Sequence, residues 1–180
     1  MLRPEFRKIL MDQRGAAVIL WSFFVISIPV YIFISQRFIT VPEAGASSFA
    51  DTVRIFVWLL TLVDLGYYAH WKRRNLSPNA ILASAKSAKL FRALADFQGD
   101  AEERAAFAVS TYVTRKVVVF AIIEAIAVYG FVLAFIGGFV ADQYFLSALS
   151  LVLLTIEFPS EKSLEAIVKS IEQPASANAA

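Results

Sequence analysis

The stretch Gly15–Gln36, GAAVILWSFFVISIPVYIFISQ, decides the fold, because it carries no charged residue over the length that a helix needs to cross a bilayer. A bilayer core about 30 Å thick is spanned by roughly 20 mainly apolar residues in a helix. Three further runs are also mainly apolar, of which the last is shorter: 52–71, 117–138 and 143–158. The sequence therefore predicts four transmembrane helices.

The composition agrees with an apolar solvent. The chain is 58% hydrophobic with sixteen phenylalanines and a mean hydropathy of +0.63, whereas soluble domains contain about 45–50% apolar residues. The absence of cysteine from the sequence excludes disulfides, thiolate metal sites and cysteine nucleophiles. One histidine leaves little for metal chemistry, and a net charge of +2 does not suggest nucleic acid. We expect an all-α integral membrane protein with no cofactor, metal or nucleic-acid partner.

Lysine and arginine are distributed unevenly, and this distribution predicts the topology. Four precede the first span, Arg37 lies in the first loop and Arg54 at the outer end of the second span, nine lie in the second loop (72–116), none in the third connection and two near the C-terminus. Because cytoplasmic loops are enriched in these residues, we expect a four-helix bundle with both termini and the long loop in the cytoplasm. The first apolar run exceeds the roughly 7–15 residues typical of a signal peptide, so it is interpreted as a retained helix. Compact architecture and the absence of a targeting segment indicate a bacterial inner (plasma) membrane.

The inner end of the second span is marked by aromatic and basic residues. Aromatic rings favour the membrane interface, and cations favour the headgroups of the cytoplasmic leaflet. The predicted interface anchors are Tyr67, Trp71, Lys72, Arg73 and Arg74.

Amphipathic helices are predicted on the cytoplasmic side. Ser77 followed by proline favours a helix start, and Gly99 favours an end, which predicts a helix over about 78–98. Its apolar stripe indicates either a helix that lies on anionic lipid or one that packs against the same protein. A second short amphipathic helix is predicted over 160–172 from apolar residues at helical spacing, followed by a disordered tail over 173–180. The expected single membrane domain covers 1–172.

The third and fourth spans are expected to form a hairpin. No proline or glycine follows position 100 until Gly130, so one helix is predicted from about 101 to 138. Gly137 and Gly138 favour a tight outer turn, and Asp142 is expected to cap the next helix.

Two carboxylates inside the spans are candidate functional residues, since an ionisable group is costly in a membrane. Glu124 and Asp64 each lie eight residues, or about 12 Å of helix, from a lysine at the cytoplasmic end of their spans. If the two carboxylates meet, repulsion and desolvation favour a carboxyl that binds a proton or cation near neutral pH. In the alternative, each hydrogen-bonds a neighbour such as Tyr129, or pairs with a cation, and only fixes helix packing. Glu157, at the inner end of the fourth span, is a weaker candidate.

The segment Glu124–Val132, EAIAVYGFV, resembles the second helix of the proteolipid c subunits of rotary ATP synthases. The resemblance implies that Glu124 matches the ion-binding acid and Tyr129 the aromatic residue that follows it. It covers nine residues, and neither a glycine-rich partner helix nor a polar Arg-Gln-Pro loop precedes them. From Arg115 to Pro159 the chain more broadly looks like small uncharacterised bacterial four-helix membrane proteins.

The sequence lacks the motifs of nucleotide binding, metal binding and serine–histidine catalysis. We therefore expect a non-catalytic membrane protein, a small subunit of a homo-oligomeric or multiprotein membrane complex, in contact with lipids and with itself or other membrane proteins. The alternative is a proton- or cation-coupled transporter or channel component that uses an intramembrane carboxylate, Glu124 either alone or with Asp64. An intramembrane enzyme would need a catalytic group that the sequence does not show.

Overall fold

The structure, a computed structural model, describes residues 4–38, 48–77, 80–81 and 100–172. These residues contain five helices and no strand, which confirms the all-α prediction. The helices are α1 (Pro4–Phe38), α2 (Ser48–Asn75), α3 (Asp100–Gly137), α4 (Val140–Ile156) and α5 (Glu161–Glu172). The single long helix predicted over 101–138 is therefore observed as α3.

Among the described residues, two helices are long and apolar enough to cross a membrane. These segments are Gln13–Phe38 of α1 and Ala105–Gly137 of α3, and they contain nearly all of the predicted spans 15–36 and 117–138. A third span results if α4 and the first turns of α5 are counted as one bent span. Along α1, large apolar side chains such as Phe23 and Phe33 are exposed. Because water disfavours contiguous exposed apolar surface, this surface suits membrane association.

The α3–α4 turn contains the one glycine with a left-handed backbone among the described residues, Gly138, at φ 66°. The amides of Gly138 and Phe139 donate to the carbonyls of Ala134 and Leu133 at 3.0 and 3.4 Å. The first of these bonds is that of the αL helix ending, in which the amide of the left-handed residue donates to the carbonyl four residues earlier. The chain re-enters helix at Val140 with Phe139 as the N-cap residue. The prediction that Asp142 caps this helix is therefore wrong: the tight turn starts α4 earlier and places Asp142 in its first turn.

The described residues fall into two compact units. The first is formed by the described parts of Met1–Ile19, Trp71–Val117 and Pro159–Ala180, and the second by those of Leu20–His70 and Val118–Phe158.

In the first unit, α5 packs against the N-terminal half of α3. The core of this unit consists of Ile81, Ala105, Ala108, Val109, Tyr112, Leu164 and Ile167. The Arg14 guanidinium forms an ion pair with Glu161, and its Nε donates to the Pro159 carbonyl at 3.2 Å. The Ser77 hydroxyl accepts from the Ala80 amide at 3.3 Å, as expected of a helix cap. The remainder of the predicted 78–98 helix, and the 173–180 tail, lie outside the described residues.

In the second unit, α3 and α4 approach closely at Gly130. A Cβ added at Gly130 would lie 3.0 Å from the Gln143 Cα and 3.1 Å from the Leu146 Cβ. Small residues allow such close helix packing in membranes. The apolar core around this contact is formed by Val57, Ile126, Leu133 and Leu146.

Candidate functional site

Glu124 lies half-buried on α3 in the second unit. Its Oε1 accepts a hydrogen bond of 2.8 Å from the Tyr31 hydroxyl on α1. The Tyr31 ring packs against Phe131, with ring centroids 5.3 Å apart, and the Tyr31 carbonyl accepts from Gln143 Nε2 of α4 at 3.2 Å. Tyr31 thereby ties α1 to both α3 and α4.

Asp64 and Tyr129, two of the three predicted site residues, are in contact. The Tyr129 hydroxyl donates to Asp64 Oδ2 at 2.8 Å, which ties α3 to α2. Tyr129 follows Glu124 by five residues, so the two side chains point about 140° apart around α3. The structure thus gives each carboxylate its own tyrosine, Tyr129 for Asp64 and Tyr31 for Glu124.

A third carboxylate is bound in the same way near the end of α4. The Tyr68 hydroxyl of α2 donates to Glu157 Oε1 at 2.5 Å, and Glu157 is 2% exposed. A tyrosine can donate to a carboxylate without adding a charge. Three pairs of this kind connect α1 with α3, α2 with α3 and α2 with α4.

The fourth carboxylate, Asp142, pairs with an arginine. Arg54 Nε and Nη2 donate to the two oxygens of Asp142 at 2.5 and 3.0 Å, a bidentate geometry that planar guanidinium favours. The Arg54 Cζ also lies 4.9 Å from the centroid of the Phe139 ring. The Asp142 side chain is 10% exposed and that of Arg54 is 45% exposed, so the carboxylate is the buried partner.

The sequence reasoning missed this pair and the polar face of α4. Gln143, Ser147, Ser150 and Glu157 recur at i, i+4, i+7 and i+14, and each is at most 2% exposed. The Ser150 hydroxyl donates to the Ile123 carbonyl of α3 at 2.9 Å. The spacing of these four residues indicates one face of a helix. A lone arginine in an apolar run, here Arg54, indicates an acidic partner at the same end of a neighbouring helix.

The predicted interface anchors lie in the last turns of α2. Tyr67 is exposed, as are the cations of the final turn, Lys72, Arg73 and Arg74, whereas Trp71 is half-buried. Basic side chains also complement the negative end of a helix dipole.

The chemistry of the second unit is therefore that of hydrogen-bonded carboxylates between helices. Within the described residues, no group of three or more histidine, cysteine, aspartate or glutamate side chains is placed to hold a metal ion. These features define a helical protein with at least two helices able to cross a membrane. Comparisons with protein-family models, with curated proteins and with solved structures found no match.

Proposed function

We propose that the chain is a multi-pass protein of a bacterial inner membrane, with four spans in a bundle and both termini in the cytoplasm. The distribution of lysine and arginine supports this orientation. Helix α2 contains Arg54 and Asp64 in its apolar stretch, and both have polar partners within the unit, Asp142 and Tyr129. Pairing offsets part of the cost of placing such groups in a membrane, which supports α2 as a further span.

Within this architecture the protein serves as a non-catalytic subunit of a homo-oligomeric or multiprotein membrane complex. The observation that carries this proposal is that four carboxylates of the second unit each accept a hydrogen bond from a side chain on another helix. Groups used in this way fix the packing of the helices. A rigid helical module with exposed apolar faces suits assembly in the bilayer.

Native mass spectrometry of the full chain, extracted from its own membrane into lipid nanodiscs, tests this proposal. A second polypeptide at fixed stoichiometry, or a defined homo-oligomer, is the expected result. The same preparation diluted into excess empty nanodiscs is the control, because chains that share a disc by chance separate on dilution. A monomer that carries lipid alone before and after dilution would overturn the subunit proposal.

A second function, a proton- or cation-coupled transporter or channel component, is favoured by one observation. Glu124 is half-buried in a helix able to cross a membrane, and the partner on its Oε1 is a neutral tyrosine hydroxyl. A carboxylate without a paired cation can exchange a proton or cation at lower cost than one in an ion pair.

Proteoliposomes with an internal pH dye test this second function. The transport hypothesis expects a proton or cation flux in the wild type that is lost in Glu124→Gln and retained in Glu165→Gln, a substitution on α5. Retention of the flux in Glu124→Gln, with unchanged oligomeric state and helix content, would exclude the role of this carboxylate.

A further inference from the structure

Two buried polar atoms on the inner face of α4 have no hydrogen-bond partner among the described residues. They are Gln143 Oε1 and Ser147 Oγ, on side chains that are 0% and 1% exposed. An unsatisfied polar group inside a membrane protein is costly, because neither lipid nor bulk water can satisfy it. Both atoms belong to the second unit and lie one helical turn apart.

The orientation of the Gln143 amide is fixed by its other end. Gln143 Nε2 donates to the Tyr31 carbonyl at 3.2 Å, and rotating the amide by 180° would place Oε1 against that carbonyl oxygen, where neither atom could donate. Oε1 therefore requires a donor from elsewhere.

Ser147 differs from other hydroxyl residues of these helices. The hydroxyls of Thr61, Thr114 and Thr155 donate to the carbonyl four residues earlier at 2.8–3.0 Å, a common arrangement for such residues in helices. Ser150, on the same face of α4, donates to the α3 backbone. The Ser147 hydroxyl makes neither kind of bond, so it is available to a ligand between the helices.

We propose that Gln143 and Ser147 form a binding site for one internal water molecule, which donates to Gln143 Oε1 and is bound by Ser147 Oγ. Side chains four residues apart on a helix have Cβ atoms about 5–6 Å apart. A water that makes two hydrogen bonds of about 2.8 Å joins oxygens up to roughly 5.5 Å apart. Buried waters typically satisfy polar groups of this kind.

The site has a consequence for the interior of the second unit. Gln143 is bonded to the Tyr31 backbone, and the Tyr31 hydroxyl binds Glu124. The water therefore binds a residue, Gln143, that is itself hydrogen-bonded to the Tyr31 of the Tyr31–Glu124 pair, and it brings exchangeable protons into this part of the unit. This inference does not rest on either proposed function, since a water at this position would also serve a purely packing role.

Solid-state NMR of the isotope-labelled full chain in lipid bilayers tests the site. Magnetisation is transferred from water protons to the side-chain carbonyl carbon of Gln143, whose signal is assigned by its loss in Gln143→Met. We expect efficient transfer in the wild type and a several-fold slower build-up in Ser147→Ala. Ser150→Ala is the matched control, because its hydroxyl is on the same buried face but bonds to protein, and it should leave the transfer unchanged.

Two outcomes would overturn the proposal. One is the absence of transfer from water to Gln143 in the wild type, a measurement that holds even if the Ser147→Ala variant fails to fold. The other is an equal build-up in the wild type and in a folded Ser147→Ala, which would mean that water reaches Gln143 without the serine.

Discussion

The Arg54–Asp142 pair predicts that its two partners contribute unequally to stability. Loss of the arginine leaves a carboxylate that is 10% exposed without a cation, whereas loss of the acid leaves a guanidinium that is 45% exposed and stacked on Phe139. Removal of one partner from a buried pair costs about 3–5 kcal/mol when the remaining charge stays buried. We therefore expect Arg54→Gln to lower the free energy of unfolding by about 3 kcal/mol.

The acid side of the pair should be more tolerant. In Asp142→Asn the amide oxygen still accepts from the guanidinium, so the loss is that of one charge-assisted bond, about 1.5 kcal/mol. The double variant Arg54→Gln/Asp142→Asn leaves no buried charge, and it should be more stable than the sum of the single losses predicts.

Equilibrium unfolding in mixed micelles, with dodecyl sulfate as denaturant and helix content as the signal, measures all four forms. The double-mutant cycle isolates the coupling between the two side chains from the effect of each substitution alone. Equal losses in the two single variants would refute the assignment of Asp142 as the buried partner, and strict additivity in the double variant would show that the two side chains do not interact.

Three further predictions concern packing. Gly130→Ala should lower the free energy of unfolding by about 1–3 kcal/mol through overpacking against α4. The control is Gly66→Ala, where an added Cβ meets nothing within 4 Å, and it should be neutral or stabilising by up to about 1 kcal/mol. Equal effects of the two substitutions in the same denaturation assay would contradict the close approach of α3 and α4 at Gly130. Tyr129→Phe should cost about 2 kcal/mol in that assay, because its carboxylate partner loses a donor, and an unchanged midpoint would show that the bond contributes nothing. Leu164→Ala should lower the free energy of unfolding by about 3 kcal/mol and speed amide hydrogen exchange in α5. Substitution of the exposed Lys162 by alanine should change neither quantity. Amide protection of α5 that survives Leu164→Ala would argue against the packing of α5 on α3.

Hydropathy and helix signals predicted much of the architecture, since they depend on local sequence. The uncharged run in α1, the long α3 and the short amphipathic α5 were all readable from residue spacing. The start of α4 was not, because a tight turn at Gly138 and a side-chain cap at Asp142 are both compatible with the same residues. The left-handed backbone of Gly138 decides between them, and neither hydropathy nor helix propensity reports a single backbone angle.

The candidate site was predictable as a set of residues, with Tyr129 as one possible hydrogen-bond neighbour, but the sequence did not show which tyrosine binds which acid. An acid within a mainly apolar run is conspicuous in a sequence, so Glu124 and Asp64 were found. Their partners depend on the rotation of each helix about its axis. A rotation of about 140° around α3 separates the side chain that meets α1 from the side chain that meets α2, and hydropathy does not fix it.

Helix α2 shows why the membrane assignment of a single helix depends on its neighbours. A hydropathy sum counts Arg54 and Asp64 as charges fully exposed to lipid. By length and composition, α2 is not among the helices able to cross a membrane. In the folded unit Asp142 and Tyr129 bond to these groups, so packing offsets part of a cost that the isolated helix would bear in full. This predicts an order of events: α2 alone should insert poorly, and its insertion should improve when α3 and α4 are present. A glycosylation-mapping assay of α2 with and without the α3–α4 hairpin measures this difference, and equal insertion in both would show that the paired charges carry no penalty for the isolated helix.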